Sequence, residues 1–454
     1  MSGSVAVVTL GCKTNQFESA AMSEQLQQAG YRQVDFESGA DLVIVNTCTV
    51  TAATDAQSRN LIRRARRLNP QARIVVTGCY AQIRPESLTA LPGVALVIGN
   101  REKAELLELL ARNRRPGETH VADIRAQTTL EPLRLNSFEQ RSRAFVQIQN
   151  GCDAFCSYCI IPYARGGSRS VPMPEVVSQV EKFSAAGYPE IVLTGIHIGQ
   201  YGRDLEPRSD LLALLKMIER SNFSGRLRLG SIEPTELSKP LYTYVAASDW
   251  ICPHYHIPLQ AGDDSVLARM NRHYTTGFFR DLVEKIHALS PDAAVGLDVI
   301  AGFPGESERQ FENTCRLLEE LPFSHLHVFP FSRRPGTPAA TMPQQLAGEL
   351  IRARAARLRM LGMDKNRSFQ ERFLGRRLEL IIEGGGQAGW RKGLSRNYLP
   401  VWLADPGIRQ GDLLYARISS LKKNRLIGVQ DQPANGPVAG HEPRSLAAAA
   451  PHPE

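Results

Sequence analysis

Residues 151–159 read GCDAFCSYC and place three of the chain's eight cysteines within nine residues. Cys152, Cys156 and Cys159 are spaced C-x3-C-x2-C, and no fourth Cys or His stands close by. A structural zinc ion takes four protein ligands, usually as two pairs, so this spacing disfavours zinc. Three thiolates can bind three irons of a [4Fe–4S] cluster and leave the fourth iron open to a small molecule, for example S-adenosylmethionine. The stretch therefore predicts an iron–sulfur site.

Composition limits the classes of protein to which the chain can belong. Its 454 residues leave room for two to four domains, and 43% hydrophobic and 22% charged residues are ordinary for a globular protein. No apolar run approaches the ~20 residues of a membrane span, and the N-terminal segment lacks a signal-peptide pattern. We therefore expect a cytoplasmic protein that does not bind membranes. In that reducing compartment, cysteines favour metal binding or catalysis over disulfides.

The positive charge of the chain is concentrated near its C-terminus. The formal net charge is +8, and residues 366–429 contain twelve Lys and Arg against five Asp and Glu. A local basic excess favours a polyanionic partner such as RNA, although a solvated surface explains the same count.

The first part of the chain, residues 1–130, alternates short β-branched runs with helical patterns. This alternation predicts a doubly wound α/β domain with a parallel sheet. Cys12, Cys48 and Cys79 each follow one of the first three predicted strands. Because sites form at the carboxyl edge of such sheets, we expect these cysteines to converge. The alternative is that they are small buried hydrophobic residues, which is common for a single free cysteine.

Residues 138–368 contain six further strand patterns with helical patterns between most of them. This alternation predicts a partial (β/α)6 barrel, and the GCDAFCSYC stretch lies in the loop after its first strand, where barrel sites form. A helix is expected over about 343–371. Residues 369–432 show short strands with glycine turns, which predict a small β-barrel of the nucleic-acid-binding kind. Residues 433–454 are rich in Pro, Ala and Gly and are expected to be disordered.

Several motifs resemble those of one family. The three cysteines with Tyr158 match the signature of the radical S-adenosylmethionine superfamily, and TLGCKTNQFES, NTCTV and TGCYAQ match its methylthiotransferase branch. The resemblance covers about residues 4–430, and the terminal barrel resembles the RNA-binding TRAM domain. Within the branch, TLGCKTNQFESAAM and TGIHIGQYG are most similar to the subfamily that modifies N6-threonylcarbamoyladenosine at position 37 of tRNA.

The resemblance implies a role for individual residues. Cys152, Cys156 and Cys159 would bind the radical-generating [4Fe–4S] cluster, and Cys12, Cys48 and Cys79 an auxiliary [4Fe–4S] cluster that handles sulfur, so all six count as catalytic and metal-binding. The expected contacts to S-adenosylmethionine are Tyr158, Thr194, Gly195, Ser231, Glu233, His256, Gln260 and Gly302.

The resemblance also implies an activity and its partners. A 5′-deoxyadenosyl radical would activate the target carbon, and both cysteine sets would face a common cavity between domains. The enzyme would act as a monomer on the anticodon loop of tRNA, with a flavodoxin-type reductase as electron donor and a separate sulfur donor.

Three alternatives remain at this point. The same chemistry could act on isopentenyladenosine in tRNA or on a ribosomal-protein aspartate, or the chain could be a non-catalytic iron–sulfur protein that binds RNA. The basic terminal barrel disfavours the ribosomal-protein substrate. Trp390 and Tyr398, beside Arg391, Lys392 and Arg396, suit RNA contact, but core packing explains the two aromatic residues nearly as well.

Overall fold

The computed structural model describes residues 3–113, 115–130, 133–138, 141–384, 386, 389–405 and 407–431. The expected disorder of residues 433–454 lies outside these described residues. Among the helices that are described, none has the length and the apolar character needed to cross a membrane.

The N-terminal unit is a six-stranded parallel sheet with the order β2-β1-β3-β4-β5-β6. Its central strands are β-branched and buried on both faces, as expected for a parallel sheet covered by helices. The strands are β1 Ser4–Thr9, β2 Arg32–Gln33, β3 Leu42–Thr47, β4 Arg73–Gly78, β5 Val94–Ile98 and β6 Glu118–His120. The two short edge strands, β2 and β6, have too little pattern to be predicted from the sequence.

Helices cover both faces of this sheet, which confirms the doubly wound prediction. One core contains Met22 and Leu26 with Leu106, and the opposite core contains Ile62 and Leu88. The helices are α1 Lys13–Gln28, α2 Ala52–Leu68, α3 Cys79–Ile83, α4 Pro85–Thr89 and α5 Leu106–Arg112. The strand order reverses between β1 and β3, and a crevice for ligands opens at such a point.

The central unit contains the six parallel strands that the sequence predicts. They form two three-stranded sheets, β11-β10-β7 and β12-β13-β14, joined by single bridges between Leu227 and Ile251 and between Ser231 and His256. The strands of this part are β7 Ala144–Gln147, β8 Gln149–Asn150, β9 Arg169–Ser170, β10 Glu190–Thr194, β11 Arg226–Leu229, β12 His254–Gln260, β13 Ala294–Ala301 and β14 His325–Pro330.

Crossover helices lie outside this open barrel. They are α6 Ile161–Arg165, α7 Met173–Ala185, α8 Leu211–Glu219, α9 Lys239–Ala247, α10 Asp264–Arg269, α11 Thr276–Leu289, α12 Glu308–Glu320 and α13 Gly348–Glu371. The last helix begins five residues after the predicted start at 343, because the proline-containing segment before it is a turn and loop. The hydrophobic core of this unit lies between the strands and these helices.

The C-terminal unit is a closed five-stranded barrel with the order β15-β16-β17-β19-β18. Its strands are β15 Arg377–Glu383, β16 Arg391–Ser395, β17 Pro400–Leu403, β18 Leu413–Lys422 and β19 Arg425–Gln430. This confirms the predicted fold class of a doubly wound domain, a partial barrel and a small β-barrel.

The small barrel is docked onto the lower end of the central barrel. There Glu190 is fully buried and pairs with Arg143, Arg226 and Arg228. The guanidiniums of Arg226 and Arg228 in turn donate to backbone carbonyls of the small barrel. These hydrogen bonds satisfy buried guanidinium groups across the interface between the two barrels. Separating the barrels would leave these charged groups without their partners.

The same interface uses residues whose pattern in the sequence suits RNA contact, although core packing explains the aromatic ones nearly as well. The ring of Tyr398 lies 4.4 Å from that of His254, and Arg396 donates to the carbonyl of Ile251 at 3.2 Å. Lys392 pairs with Glu383, and Arg391 donates to the carbonyl of Ile408. Packing and internal pairing therefore account for these side chains. The aromatic–basic pattern could not distinguish an interface from an RNA surface.

Candidate functional site

Three cysteines meet at the carboxyl edge of the N-terminal sheet, as the sequence predicts. Cys12 immediately precedes α1, Cys48 follows β3, and Cys79 is the first residue of α3. Cys48 and Cys79 are buried, whereas Cys12 is exposed. Burial, with a smaller contribution from Cys79 and Cys12, raises the pKa of the Cys48 thiol to about 12. The three sulfur atoms therefore act on one another electrostatically although they come from distant parts of the sequence.

Glycines allow this close approach. Gly11 has φ of +97°, and a Cβ built on it would lie 2.8 Å from Cys48 Sγ. Gly78 has φ of +95°, and its Cβ would lie 2.3 Å from the Thr47 carbonyl oxygen. Any larger residue would have to adopt an unfavourable backbone conformation and would overlap its neighbours. Two of the three cysteines are thus preceded by glycines that bring their loops against the Cys48 segment.

A buried arginine connects this cysteine set with the central barrel. Arg165, the last residue of α6, is 0% exposed, and its Nε donates to Cys79 Sγ at 3.2 Å. Its guanidinium also pairs with Glu18 and donates to Asn15, both on α1. Despite burial, which opposes it, Arg165 and Lys103 lower the pKa of Glu18 to about 2. A positive charge is therefore fixed beside the Cys79 sulfur.

The second cysteine set lies in the loop after β8. Gln149 holds this loop, because its amide donates to the Gly151 carbonyl at 2.7 Å while its oxygen accepts from the backbone of His197 at 2.7 Å. Cys156 is buried, and Cys152 and Cys159 are half-buried. Burial, reinforced by the neighbouring Cys156, raises the pKa of Cys159.

Cationic groups also surround this second set. Arg272 Nη1 donates to Cys156 Sγ at 3.2 Å, and Arg272 pairs with Glu233. His197 Nδ1 lies 3.3 Å from Cys152 Sγ. Although burial opposes it, hydrogen bonding to Cys152 and to Glu236 raises the pKa of His197 to about 10. Hydrogen bonds to sulfur stabilise thiolates and tune the clusters they bind.

The arrangement of both sets fits a cluster larger than a single ion. Thiolates on one zinc ion lie about 3.8 Å apart, given a Zn–S distance of about 2.3 Å. In the part of the chain that the structure describes, three donor atoms within 4.8 Å of one another occur at His256, Asp298 and His327. Neither cysteine set is such a group among the described residues. Each set offers three thiolates, which can bind three irons of a [4Fe–4S] cluster and leave the fourth open. A guanidinium donates to one sulfur of each set.

Most of the other predicted contact residues lie around the carboxyl ends of the barrel strands, but His256 lies within β12, near the start of the strand. Thr194 is the last residue of β10, and Gly195 follows it. Gly195 packs against the Gln149 backbone, because a Cβ on Gly195 would lie 2.8 Å from the Gln149 carbonyl oxygen. Ser231 Oγ and His256 Nδ1 are 2.5 Å apart. Gly302 follows β13 and packs against Ile351 of α13. Glu233 is held by Arg272 and is therefore positioned beside the cysteine loop.

One cavity is lined by the barrel, the cysteine loop and the N-terminal unit together. Its volume is about 210 Å³. Val50 and Thr51, just after Cys48, contribute one wall, and Tyr158 and Cys159 contribute another. The remaining lining residues include Gln260, Asp298, Ile300, Phe329 and Ser332. Cys159 lines this cavity, and the segment just after Cys48 forms the wall that the N-terminal unit contributes.

Sequence reasoning missed the residues that support the two cysteine sets. Arg165, Arg272 and His197 carry no spacing motif, and Arg165 meets Glu18 across 147 residues of sequence. Arg334 was also missed; it donates to Thr49 Oγ1 at 2.6 Å and pairs with Asp55, next to Cys48. The one available signal was proximity, since Arg165 follows Cys159 by six residues.

Two family matches cover most of the chain. Residues 4–99 match a family described as uncharacterized protein family UPF0004, and residues 146–318 match the radical SAM superfamily. The first match contains Cys12, Cys48 and Cys79, and the second contains Cys152, Cys156 and Cys159.

Curated relatives extend over nearly the whole chain. The threonylcarbamoyladenosine tRNA methylthiotransferase MtaB of Bacillus subtilis is 42% identical over 84% of this chain and 84% of its own length. The enzyme of that name from Rickettsia prowazekii is 37% identical over 94% of this chain and 95% of its own length. The tRNA-2-methylthio-N(6)-dimethylallyladenosine synthase of Sphingopyxis alaskensis is 32% identical over 92% of this chain and 96% of its own length.

A solved structure shares the fold. The radical S-adenosylmethionine methyltransferase TsrM from Kitasatospora setae, determined with cobalamin and a [4Fe-4S] cluster, superimposes with a TM-score of 0.56. It is 17% identical in sequence, and the match covers 75% of this chain and 77% of that one. At that identity the likeness concerns architecture alone.

Iron content tests the two cysteine sets. After anaerobic reconstitution, replacing Cys152, Cys156 and Cys159 with Ala should leave about half of the wild-type iron, and so should replacing Cys12, Cys48 and Cys79. The matched control is Cys252→Ala with Cys315→Ala, two buried cysteines outside both sets, which should keep all of it. Full iron in either triple variant, or zinc in place of iron in the wild type, would contradict the assignment.

A single glycine tests how the auxiliary set is assembled. Gly11→Ala should lose about half of the iron, because the new Cβ would meet Cys48 Sγ at 2.8 Å. Gly30→Ala is the matched control, since Gly30 has a similar φ of +90° with nothing within 4 Å of the added Cβ. Iron and acid-labile sulfide are measured in both variants. Equal losses would show that backbone strain, and not the contact with Cys48, is responsible.

Proposed function

Because the chain belongs to the radical SAM methylthiotransferases of the MtaB type, we propose that it transfers a methylthio group to N6-threonylcarbamoyladenosine in tRNA. The group is placed on C2 of the base, at position 37 of the anticodon loop. The cofactors of this family are S-adenosylmethionine and [4Fe–4S] clusters. The proposal joins radical activation of an aromatic carbon to sulfur transfer in one protein.

The observation that carries this proposal is the cavity of about 210 Å³ with walls from both cysteine-bearing segments. A reaction that needs a radical source and a sulfur source at one carbon requires both to face one space. Val50 and Thr51 bring the segment after Cys48 to the cavity that Tyr158 and Cys159 also line. A flipped-out base would enter this space, as in other enzymes that modify a nucleobase.

The clusters supply, when bound, the electron that cleaves S-adenosylmethionine reductively and the sulfur that is methylated and transferred. The protein's own contribution is to bind, orient and shield. In this proposal Cys152, Cys156 and Cys159 hold one cluster, and Cys12, Cys48 and Cys79 hold the other. Arg272 and Arg165 donate to one sulfur of each set and stabilise its thiolate form.

The residues predicted to contact S-adenosylmethionine take their places in the same proposal. Tyr158 and Gln260 line the cavity and can contact the adenosine part. Thr194, Gly195 and Glu233 lie at the strand ends near the cysteine loop, where the methionine part would bind. The remaining residues proposed to shape the pocket are Ser231, His256 and Gly302.

The basic C-terminal barrel is proposed to bind the tRNA backbone. Since Arg396 and Tyr398 belong to the interface with the central barrel, the contacts to RNA have to come from other residues. The turn between β18 and β19 carries Lys422, Lys423 and Arg425, all exposed. None of the three forms an ion pair with a described residue, and the Arg425 guanidinium lies over the Trp402 ring at 4.8 Å. Such a cationic turn can contact phosphates.

We propose functional boundaries that follow these roles. Residues 1–130 form the auxiliary-cluster domain, 138–368 the radical SAM barrel and 369–432 the RNA-binding barrel. The enzyme acts as a monomer in the cytoplasm, where tRNA is modified. In this proposal it receives electrons from a flavodoxin-type reductase and sulfur from a separate donor.

Product analysis tests the proposed reaction. Wild-type protein with tRNA that carries threonylcarbamoyladenosine should yield the 2-methylthio nucleoside and 5′-deoxyadenosine. The Cys12/Cys48/Cys79 triple variant should still form 5′-deoxyadenosine but no methylthio product, and the Cys152/Cys156/Cys159 variant should form neither. Mass spectrometry detects the methylthio nucleoside in the digested tRNA and 5′-deoxyadenosine in the reaction mixture. A methylthio product from the first variant would place sulfur transfer elsewhere.

Salt dependence tests the RNA contacts. Replacing Lys422, Lys423 and Arg425 with Gln should weaken tRNA binding and lower the slope of log affinity against log salt by about two to three, roughly one per lost phosphate contact. The matched control replaces Arg391 and Lys392, whose side chains have partners within the small barrel. Binding is measured at several salt concentrations. If the control changes the slope and the turn variant does not, the RNA lies on another face.

A further inference from the structure

A second cavity lies between the N-terminal unit and the central barrel. Among the described residues, it shares no lining residue with the cavity at Tyr158. Its walls come from residues between 100 and 105, from residues between 124 and 130 in the segment that connects the two units, and from Gln147 and Arg169 of the barrel. Its volume is about 250 Å³. Pockets for drug-sized ligands measure roughly 300–1,000 Å³, so this cavity suits a smaller molecule.

The walls of this cavity contain more buried positive than negative charge. Lys103, Arg165 and Arg169 all line it, and each is at most 2% exposed. Glu18 is a buried carboxylate of the same wall, and it pairs with both Lys103 and Arg165. The Cys79 sulfur, which accepts a hydrogen bond from Arg165, supplies a second negative charge when it binds a cluster. These two anions compensate two of the three cations.

Arg169 is the cation that remains. Its Nη1 donates to Gln127 Oε1 at 2.6 Å, and its Nη2 donates to the Arg165 carbonyl. Both acceptors are neutral, and no carboxylate among the described residues pairs with this guanidinium. The other lining carboxylate, Glu105, is exposed to solvent. Burial and the neighbouring charge of Arg165 lower the pKa of Arg169 to about 10, in keeping with a cation that lacks an anion.

Unpartnered donors give an independent indication of a missing acceptor. Arg169 Nε and Gln147 Nε2 are buried and have no hydrogen-bond partner among the described residues. The side-chain amide oxygens of three other lining residues already accept hydrogen bonds: Asn100, Gln127 and Asn150. A buried donor without a partner is costly, so natural structures satisfy nearly all of them with protein, water or ligand. The cavity therefore lacks acceptor oxygens and a negative charge.

We propose that this cavity binds a small free oxyanion, of the phosphate or the carboxylate kind, whose oxygens accept from Arg169 Nε and Gln147 Nε2. One such ligand supplies both the missing charge and the missing acceptors, and hydrogen bonds between a guanidinium and an oxyanion are among the stronger ones in proteins. Because Arg165 lies in the same wall and joins α1 to the barrel, the bound anion stabilises the contact between the two units.

Anion binding to the reconstituted full-length protein tests this site. The probes are inorganic phosphate and acetate, added under anaerobic conditions at an ionic strength held constant with chloride, and calorimetry measures binding. The wild type should bind one equivalent of at least one probe saturably, and the ratio of the two affinities distinguishes a phosphate-type from a carboxylate-type ligand. Arg125→Gln is the matched control, because Arg125 is an exposed arginine of the connecting segment that pairs with Asp123. It should keep the wild-type affinity.

Two variants alter the proposed donors. Gln147→Glu places a carboxylate beside Arg169, so the protein supplies its own anion, and affinity for the probe should fall by about tenfold or more. Arg169→Gln should weaken binding to a similar extent. Thermal melting separates this result from misfolding. In chloride, Gln147→Glu should melt no lower than the wild type, and the bound probe should raise the melting temperature of the wild type and of Arg125→Gln but not that of Gln147→Glu.

Three results would overturn the inference. Failure of the wild type to bind either probe saturably would mean that the cavity holds water only. Equal affinity in the wild type and in Gln147→Glu would place the anion elsewhere on the protein. Displacement of the bound probe by tRNA would show that the site belongs to the RNA backbone and not to a free anion. Iron is measured in every variant, so that a change in cluster loading is not mistaken for a change in anion binding.

Discussion

The arrangement of the whole molecule depends on one buried guanidinium. Arg165 is 0% exposed, and its positive charge has to be compensated inside the protein. Glu18 and Asn15 on α1 and Cys79 at α3 provide that compensation, although Arg165 itself belongs to the helix after the Cys152–Cys159 loop. Removing Glu18 would leave the buried charge of Arg165 without its carboxylate partner. The position of the N-terminal unit on the barrel is therefore coupled to the chemistry of the Cys79 sulfur.

Other buried ion pairs join the central barrel to the N-terminal unit and to the small barrel. Arg334, in the segment after β14, pairs with Asp55 and donates to Thr49, and so joins this segment to the chain that follows Cys48. At the lower end of the barrel, Arg226 and Arg228 join Glu190 to the small barrel. The interior of the central barrel is polar as well, since Asp298 pairs there with His256 and His327.

The sequence predicted the architecture because its signals are local. β-branched runs, helical spacing and glycine turns predict the main strands of all three units, and the rule for sheet edges predicts that Cys12, Cys48 and Cys79 converge. The thiol spacing at 152–159 predicted an iron–sulfur site for the same reason. These features depend on neighbouring residues or on a regular topology.

The remaining features could not be predicted, because they depend on pairs that are distant in sequence. From the sequence alone, Arg165 would be assigned to the surface, because its partner Glu18 is distant in the chain. Tyr398 looked equally suited to RNA and to packing, and only its contact with His254 decides the matter.

The most direct test of the account is the nucleoside composition of tRNA from cells with and without the gene. Mass spectrometry should find the 2-methylthio derivative of threonylcarbamoyladenosine in wild-type cells and its unmethylthiolated precursor alone in the deletion strain. Expression of the wild-type chain should restore the derivative, and Arg165→Met should restore little of it because the two cysteine sets lose their buried link. An unchanged level in the deletion strain, or the loss of the dimethylallyladenosine derivative instead, would contradict the account.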